Sequence, residues 1–175
     1  MHAAEVFTVG HGVRPAAELV ETVREAGRET LVDVRRHPSS RRNPQFDQAA
    51  LRAVLAERGI EYRHAPELGG LRSNEPGEEA FACVRIPAFR SYAARMRREE
   101  WQAALATELA QPAPVFMCSE SSWERCHRRL ISDFLAARGH EVVHLLGPGQ
   151  RDCHRLYHGC EARDERLYIC GHLIG

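Results

Sequence analysis

Two cysteines, a histidine and two glutamates crowd one short stretch, Cys118-Ser119-Glu120-Ser121-Ser122-Trp123-Glu124-Arg125-Cys126-His127-Arg128-Arg129. A thiol beside an imidazole suits nucleophilic catalysis, because the imidazole removes the proton and the thiolate attacks. Glu120 adds a carboxylate for general acid or base work. Cys126 and His127 are expected in the first turn of a helix, where the helix N-terminus and nearby arginines lower a thiol pKa and favour anions. Cys118, Glu120, Cys126 and His127 are also metal-ligand types, yet adjacent residues on a helix point in different directions and rarely bind one ion. The plainer reading is a buried cysteine pair with His127 bonded to backbone.

A second dense stretch, Asp33 to Arg42, carries four arginines and two serines immediately after an apolar run. Such a loop presents guanidinium and backbone donors to an anion, with Asp33 positioning Arg35 or Arg41. The competing reading is a solvated basic loop. His11 follows the first apolar run, and His64 ends the third, close to Glu67-Leu68-Gly69-Gly70. Gly69 and Gly70 are a weak phosphate-loop signal, since close backbone packing is the commoner reason for paired glycines. The candidate metal ligands further along are Cys153, His154, His158, Cys160, Cys170 and His172, a soft and imidazole set suited to zinc or another transition metal. Their spacing matches no ribbon or finger, since no Cys-x-x-Cys is present.

The chain has 175 residues with 24 basic and 24 acidic side chains, and every basic one is arginine. The absence of lysine excludes a Schiff-base lysine, a pyridoxal-phosphate anchor, a P-loop lysine and the kinase lysine. Any fixed cation is a guanidinium, suited to planar two-point recognition of carboxylate or phosphate. The balanced net charge argues against a strongly basic nucleic-acid binder. No apolar run reaches the roughly 20 residues of a membrane span. Met1-His2-Ala3-Ala4-Glu5 lacks a basic leader, so the cytoplasm is the expected location and the six cysteines are expected as free thiols, ligands or catalytic groups.

Positioning these groups requires strands and helices in alternation. Strands are expected at Glu5–Val9, Thr30–Val34, Glu61–Ala65, Val115–Cys118 and Glu141–Leu146. Helices are expected at Pro15–Glu25, Phe46–Arg58 (N-cap Asp47, stop Gly59), Ser91–Ala110 and Glu124–Arg138. Leu68–Pro87 reads as a long loop and the chain after Gly147 as an irregular tail. The alternation predicts an α/β fold, a single three-layer domain over 1–175 with a mostly parallel sheet and helices on both faces. Residues 1–146 form the core and 147–175 a Cys/His-rich tail packing on it. In such sheets ligands bind beyond the strand carboxyl ends, so His11, Asp33, Arg35, His64, Cys118 and Glu120 should converge.

The motifs carry a family resemblance. Thr8-Val9-Gly10-His11, Asp33-Val34-Arg35 with Pro38 and Ser40-Arg41, and Asn43-Pro44-Gln45-Phe46 are followed by Gly59-Ile60-Glu61-Tyr62 and Leu68-Gly69-Gly70. Cys118-Ser119-Glu120 and Cys126-His127-Arg128 complete the set. In order and spacing the chain resembles the bacterial and archaeal family catalogued as domain of unknown function number 488, from the first strand to about His144. Gly12 stands where that family more often has a hydroxyl residue, and the tail cysteines are not a family feature. The resemblance implies an α/β fold and a polar cluster of His11, Asp33, Arg35, Arg41, Glu120, Cys126 and His127, and it supplies no reaction.

The leading expectation is therefore a small enzyme acting on an anionic, nucleotide-like or phosphorylated substrate. Arg35, Arg41 and Arg128 would bind the anion, with Gly69 and Gly70 beside it. His11, Asp33, Glu120, Cys126 and His127 would carry the chemistry. Two alternatives stand beside it. One is a nucleic-acid-binding accessory module using Arg41, Arg42, Arg97 and Arg98. The other is a metal-binding protein using His11, His64, Cys118, Cys126 or His127, or the tail ligands.

Overall fold

The structure is a computed structural model that describes residues 4–70 and 74–175. The part of the expected long loop at 71–73, and the leader reading at 1–3, fall outside the described residues. Strands β1 (Glu5–Gly10), β2 (Thr30–Asp33), β3 (Glu61–His64), β4 (Pro114–Cys118) and β5 (Glu141–Gly147) lie parallel. A sixth strand, β6 (Gln150–Cys153), returns antiparallel along β5, giving the sheet order β3-β2-β4-β1-β5-β6. The fold is thus the α/β three-layer arrangement expected from the alternation of strands and helices.

Period-two alternation along the strands sorts side chains to two faces. Phe7, Val9, Leu31, Val115, Met117 and Leu145 face helices α1 (Ala16–Glu25) and α2 (Gln48–Ala56), packing on Leu19, Val23, Leu51 and Leu55. Val6, Val32, Phe116, Cys118 and Val142 face the other layer. That layer is α3 (Pro87–Met96), α4 (Glu99–Leu109) and α5 (Arg128–Ala137). Each such apolar side chain contributes about 1.5–3 kcal/mol when fully buried, which fixes the register and with it the polar strand ends.

Three expected helices differ in extent. Ser91–Ala110 is not one helix but α3 and α4, with extended backbone at Arg98 between them. Nine residues separate Tyr92 from Trp101, about 900° or half a turn apart on a continuous helix at 3.6 residues per turn. The break lets both enter one core, where the Trp101 indole donates to the Tyr92 hydroxyl at 3.0 Å. Phe46–Arg58 becomes a 3-10 turn (Pro44–Phe46) followed by α2. Asp47 occupies the N-cap position, but its carboxylate accepts from the Ser40 N–H at 2.7 Å rather than capping. Glu124–Arg138 becomes a 3-10 turn (Trp123–Arg125) and then α5, leaving Cys126 in extended conformation before the helix.

The tail is not irregular. Beyond β6 it forms a three-stranded antiparallel sheet of β7 (Cys160–Arg163), β8 (Arg166–Ile169) and β9 (His172–Leu173). Leu167, Ile169 and Ile174 insert into the α3–α5 core. The described part of the segment expected as a long loop is also packed, with Phe81 and Val84 fully buried. A Cys83–Cys170 disulfide joins it to the tail across 87 residues, so the expectation of free thiols is corrected for that pair. Cys118, Cys126, Cys153 and Cys160 are free. Closing a loop of that length constrains the unfolded chain, so reduction or Cys83→Ser should cost about 2–4 kcal/mol. Denaturant midpoints with and without reductant measure it, and equal midpoints would show that the bridge adds no stability.

Candidate active-site cleft

The sheet ladder runs past the ends of β1 and β4. The His11 N–H donates to the Cys118 carbonyl at 2.9 Å, and the Gly12 N–H to the Ser119 carbonyl at 3.0 Å. The loop after β4 presses so closely on β1 that a Cβ at Gly10 would collide with the Glu120 carbonyl. Gly12 adopts φ +55, which favours glycine, and sits against Ser121. The buried Arg128 guanidinium pins this crossing. It donates from Nη2 to the Glu120 carbonyl at 2.6 Å and from Nη1 to Thr8 Oγ1 at 2.9 Å. Arg128 is therefore a strut beneath the loop and does not line the cleft, contrary to its expected role at the anion.

At the end of β2, Asp33 is fully buried and saturated. Its carboxylate accepts from Arg35 Nε at 2.9 and 3.1 Å, Arg35 Nη2 at 2.6 Å, the Arg35 N–H at 3.0 Å and the Tyr62 hydroxyl at 2.7 Å. A carboxylate so engaged orients Arg35 and has no lone pair free for substrate. Burial and the neighbouring Asp33 carboxylate push the Tyr62 hydroxyl above its ordinary range, so it stays a donor. Arg35 Nη1 reaches His11 Nε2 at 3.3 Å, while His11 Nδ1–H donates to the Gly12 carbonyl at 2.8 Å. Burial, then the Arg35 guanidinium, holds the His11 pKa down to about 4 despite the bond to Gly12. His11 is thus neutral near pH 7, stacked on the buried Phe46 ring at 4.1 Å.

Cys118, Cys126 and His127 meet at the other wall. Cys118 ends β4, Cys126 follows the 3-10 turn with φ -107 and ψ 149, and His127 starts α5 in helical conformation. Because Cys126 is extended rather than helical, it and His127 turn the same way, which corrects the expected divergence. His127 Nδ1 lies 3.7 Å from Cys126 Sγ and 3.9 Å from Cys118 Sγ. Burial alone raises the Cys126 pKa. The neighbouring Cys118 thiol and the Arg128 guanidinium and N–H outweigh it and bring the thiol to about 6. The Cys118 thiol, beside the Cys126 sulfur and buried, is pushed up to about 12. Of the pair, Cys126 carries the thiolate. Gly70 backs His127, where a Cβ would stand 3.0 Å from Nδ1.

Between the walls lies a cleft of about 1070 Å³. It gathers His11, Arg35, Gly70, Cys118, Glu120, Cys126 and His127 of the expected residues. Asp33 lies behind Arg35, and Arg41 is exposed and not part of the lining. Gly69 serves backbone packing, since a Cβ there would lie 2.9 Å from the Arg36 backbone and the Pro66 carbonyl. Arg36, His37, Ser39, Ser40 and Arg125, given no individual role by the sequence, also line the cleft. They sit inside the two stretches already singled out, but which of their side chains face inward depends on loop geometry.

The other expected ligands do not converge. Both His11 nitrogens are engaged, and His64 Nε2–H donates to the Arg35 carbonyl at 2.8 Å. Cys170 is in the disulfide, Cys153 and His158 are exposed, and His172 stacks edge-on against Phe81. His154 and Cys160 both bond Asp133, at 2.8 and 3.6 Å. Among the described residues, Cys118, Cys126 and His127 alone form a cluster able to hold a metal. Of the four arginines expected as nucleic-acid contacts, Arg98 is paired with Glu75. No helix of the described residues is long and apolar enough to cross a membrane.

Fold and cleft together define an α/β protein with a cationic, thiol- and imidazole-bearing pocket at the carboxyl ends of a parallel sheet. The description "domain of unknown function DUF488" matches residues 15–135, and the chain belongs to that family. The matched span covers Asp33, Arg35, Cys118, Glu120, Cys126 and His127, and leaves His11 and the tail outside it. No curated protein and no solved structure matches the chain.

Proposed function

We propose that the protein is an enzyme acting on a small anionic substrate, of the nucleotide or phosphorylated-metabolite class, bound in this cleft. The observation that carries the reading is the charge of the wall. Arg35, Arg36 and Arg125 face the single lining carboxylate of Glu120 among the described residues, in a chain of formal net charge +0. Arg35 is fixed by Asp33 in advance of binding, so its Nη1 edge loses little freedom when an anion arrives. Arg36 and Arg125 are exposed, and neither is in an ion pair among the described residues. The reacting part of the substrate lies against Cys118, Cys126 and His127. Glu120, whose carboxylate accepts only the Ser122 N–H at 3.2 Å among the described residues, supplies the proton-transfer group.

Hydrogen bonds to charged groups contribute about 1.5–3 kcal/mol each. The Arg36→Ala/Arg125→Ala double variant should therefore bind inorganic phosphate and nucleoside monophosphates roughly 100–10,000-fold more weakly, with its fold intact. Calorimetric titration across that panel at two salt concentrations measures it. Unchanged affinity in the double variant, or no binding of any panel member to the wild type, would sink the reading.

A further inference from the structure

We propose that Cys118, Cys126 and His127 form a three-ligand site for a zinc-class divalent ion, with its fourth coordination position open to the cleft. The inference rests on the cleft being the working site, and it names the group that supplies the chemistry there. All three ligand atoms lie within 4.8 Å of one another. A tetrahedral ion with metal–sulfur bonds of about 2.3 Å and metal–nitrogen bonds of about 2.0–2.1 Å places its ligand atoms roughly 3.5–3.8 Å apart. The His127 Nδ1 distances of 3.7 and 3.9 Å to the two sulfurs already approach those edges.

The environment of His127 points the same way. Its Nδ1 has only the two sulfurs as partners, and its Nε2 is buried with no partner among the described residues. The ring is half-buried, and no strong hydrogen bond competes for Nδ1. An ion on Nδ1 replaces two weak contacts with one strong bond. The rest of the site is rigid: Cys118 is the last residue of β4, Cys126 is held by its N–H to the Trp123 carbonyl at 3.3 Å, and His127 opens α5. Two thiolates neutralise a divalent ion, and soft sulfur with imidazole suits zinc. All three residues line the cleft, so the remaining position faces solvent and substrate, as in sites where zinc activates a bound water. Bound this way, both sulfurs serve as ligands and Cys126 is not the nucleophile.

The test uses the full chain, purified under reduction and titrated with Zn²⁺ against a chromophoric chelator. Co²⁺ serves as the spectroscopic probe. About one ion per chain is expected, with thiolate-to-cobalt charge-transfer bands. Cys118→Ser and Cys126→Ser should weaken binding by more than the roughly 10–100-fold that loss of an outer hydrogen-bonding partner costs. Cys153→Ser, on an exposed residue, should leave binding unchanged. Should Cys118→Ser fail to fold, the wild-type cobalt spectrum still decides whether thiolates bind the ion. Sub-stoichiometric zinc in the wild type, a cobalt spectrum without thiolate bands, or equal loss in Cys153→Ser would overturn the site. The Arg36→Ala/Arg125→Ala variant should keep its zinc, so failure of anion binding and failure of metal binding are read separately.

Discussion

Arg35→Leu should lower the stability of the protein by about 3–5 kcal/mol. The reason is what it leaves behind. Asp33 has no solvent exposure, and Arg35 supplies all of its partners except the Tyr62 hydroxyl. Removing the guanidinium strands a buried carboxylate, whereas removing both charges replaces the pair with apolar contacts. Asp33→Leu/Arg35→Leu should therefore recover much of the loss, because buried ion pairs exchanged for packed hydrophobic groups are often neutral in stability. Urea denaturation of the two variants against wild type gives the comparison. A double variant as unstable as Arg35→Leu would show that the pair holds the loop through something other than charge. The same substitution also removes one wall of the cleft, so a stable double variant should still bind phosphate poorly.

How far the sequence reached depends on the kind of inference. The parallel strands were legible because Thr30–Asp33 and Pro114–Cys118 are short apolar runs between turn signals, and burial on both faces leaves them no other role. The helix break at Arg98 was not legible. Its cause is tertiary, the shared core of Tyr92 and Trp101, while local propensity favours a continuous helix through Arg97 and Glu99. The site shows the same divide. Proximity of His11, Arg35 and Cys118 follows from strand order. The convergence of Cys126 with His127 hinges on one extended residue before α5, which no periodicity announces. Arg128 is expected at an anion because it lies by a helix N-terminus, which favours anions. Its environment, between Thr8 and the Glu120 carbonyl, made it a strut instead. The Cys83–Cys170 bridge spans too much sequence for spacing to reveal it.

That strut is one end of a buried polar chain, and the chain predicts how the protein responds to acid. Arg128 Nη1–H donates to Thr8 Oγ1 at 2.9 Å, which lies 2.7 Å from His144 Nδ1. His144 Nε2 lies 3.0 Å from His154 Nδ1, and His154 Nε2 lies 2.8 Å from Asp133 Oδ1. The bonds form one line when each donates in the same direction, from the guanidinium to the carboxylate. A second proton on His144 would turn Nδ1 from acceptor to donor and oppose the Thr8 hydroxyl. Burial first, then His154, Arg128, Arg155 and Arg129, holds the His144 pKa down to about 2, beneath the stacked Trp123 ring. His11 is held down to about 4 by its own burial. Above about pH 7.5 His11 and His144 are neutral in the folded and unfolded chains, so neither biases stability. As pH falls below that value the unfolded chain takes up protons that the folded one refuses, and stability declines. The expected slope approaches about 1.4 kcal/mol per pH unit for each histidine between roughly pH 6 and 4.5. His144→Gln should remove one proton from that slope, whatever it costs in absolute stability, and His11→Gln should remove another. Denaturation midpoints measured at half-unit steps from pH 7 to 4.5 resolve the difference. A slope that stays the same in both variants would mean that other groups govern the acid response and that His144 accepts a proton within the fold.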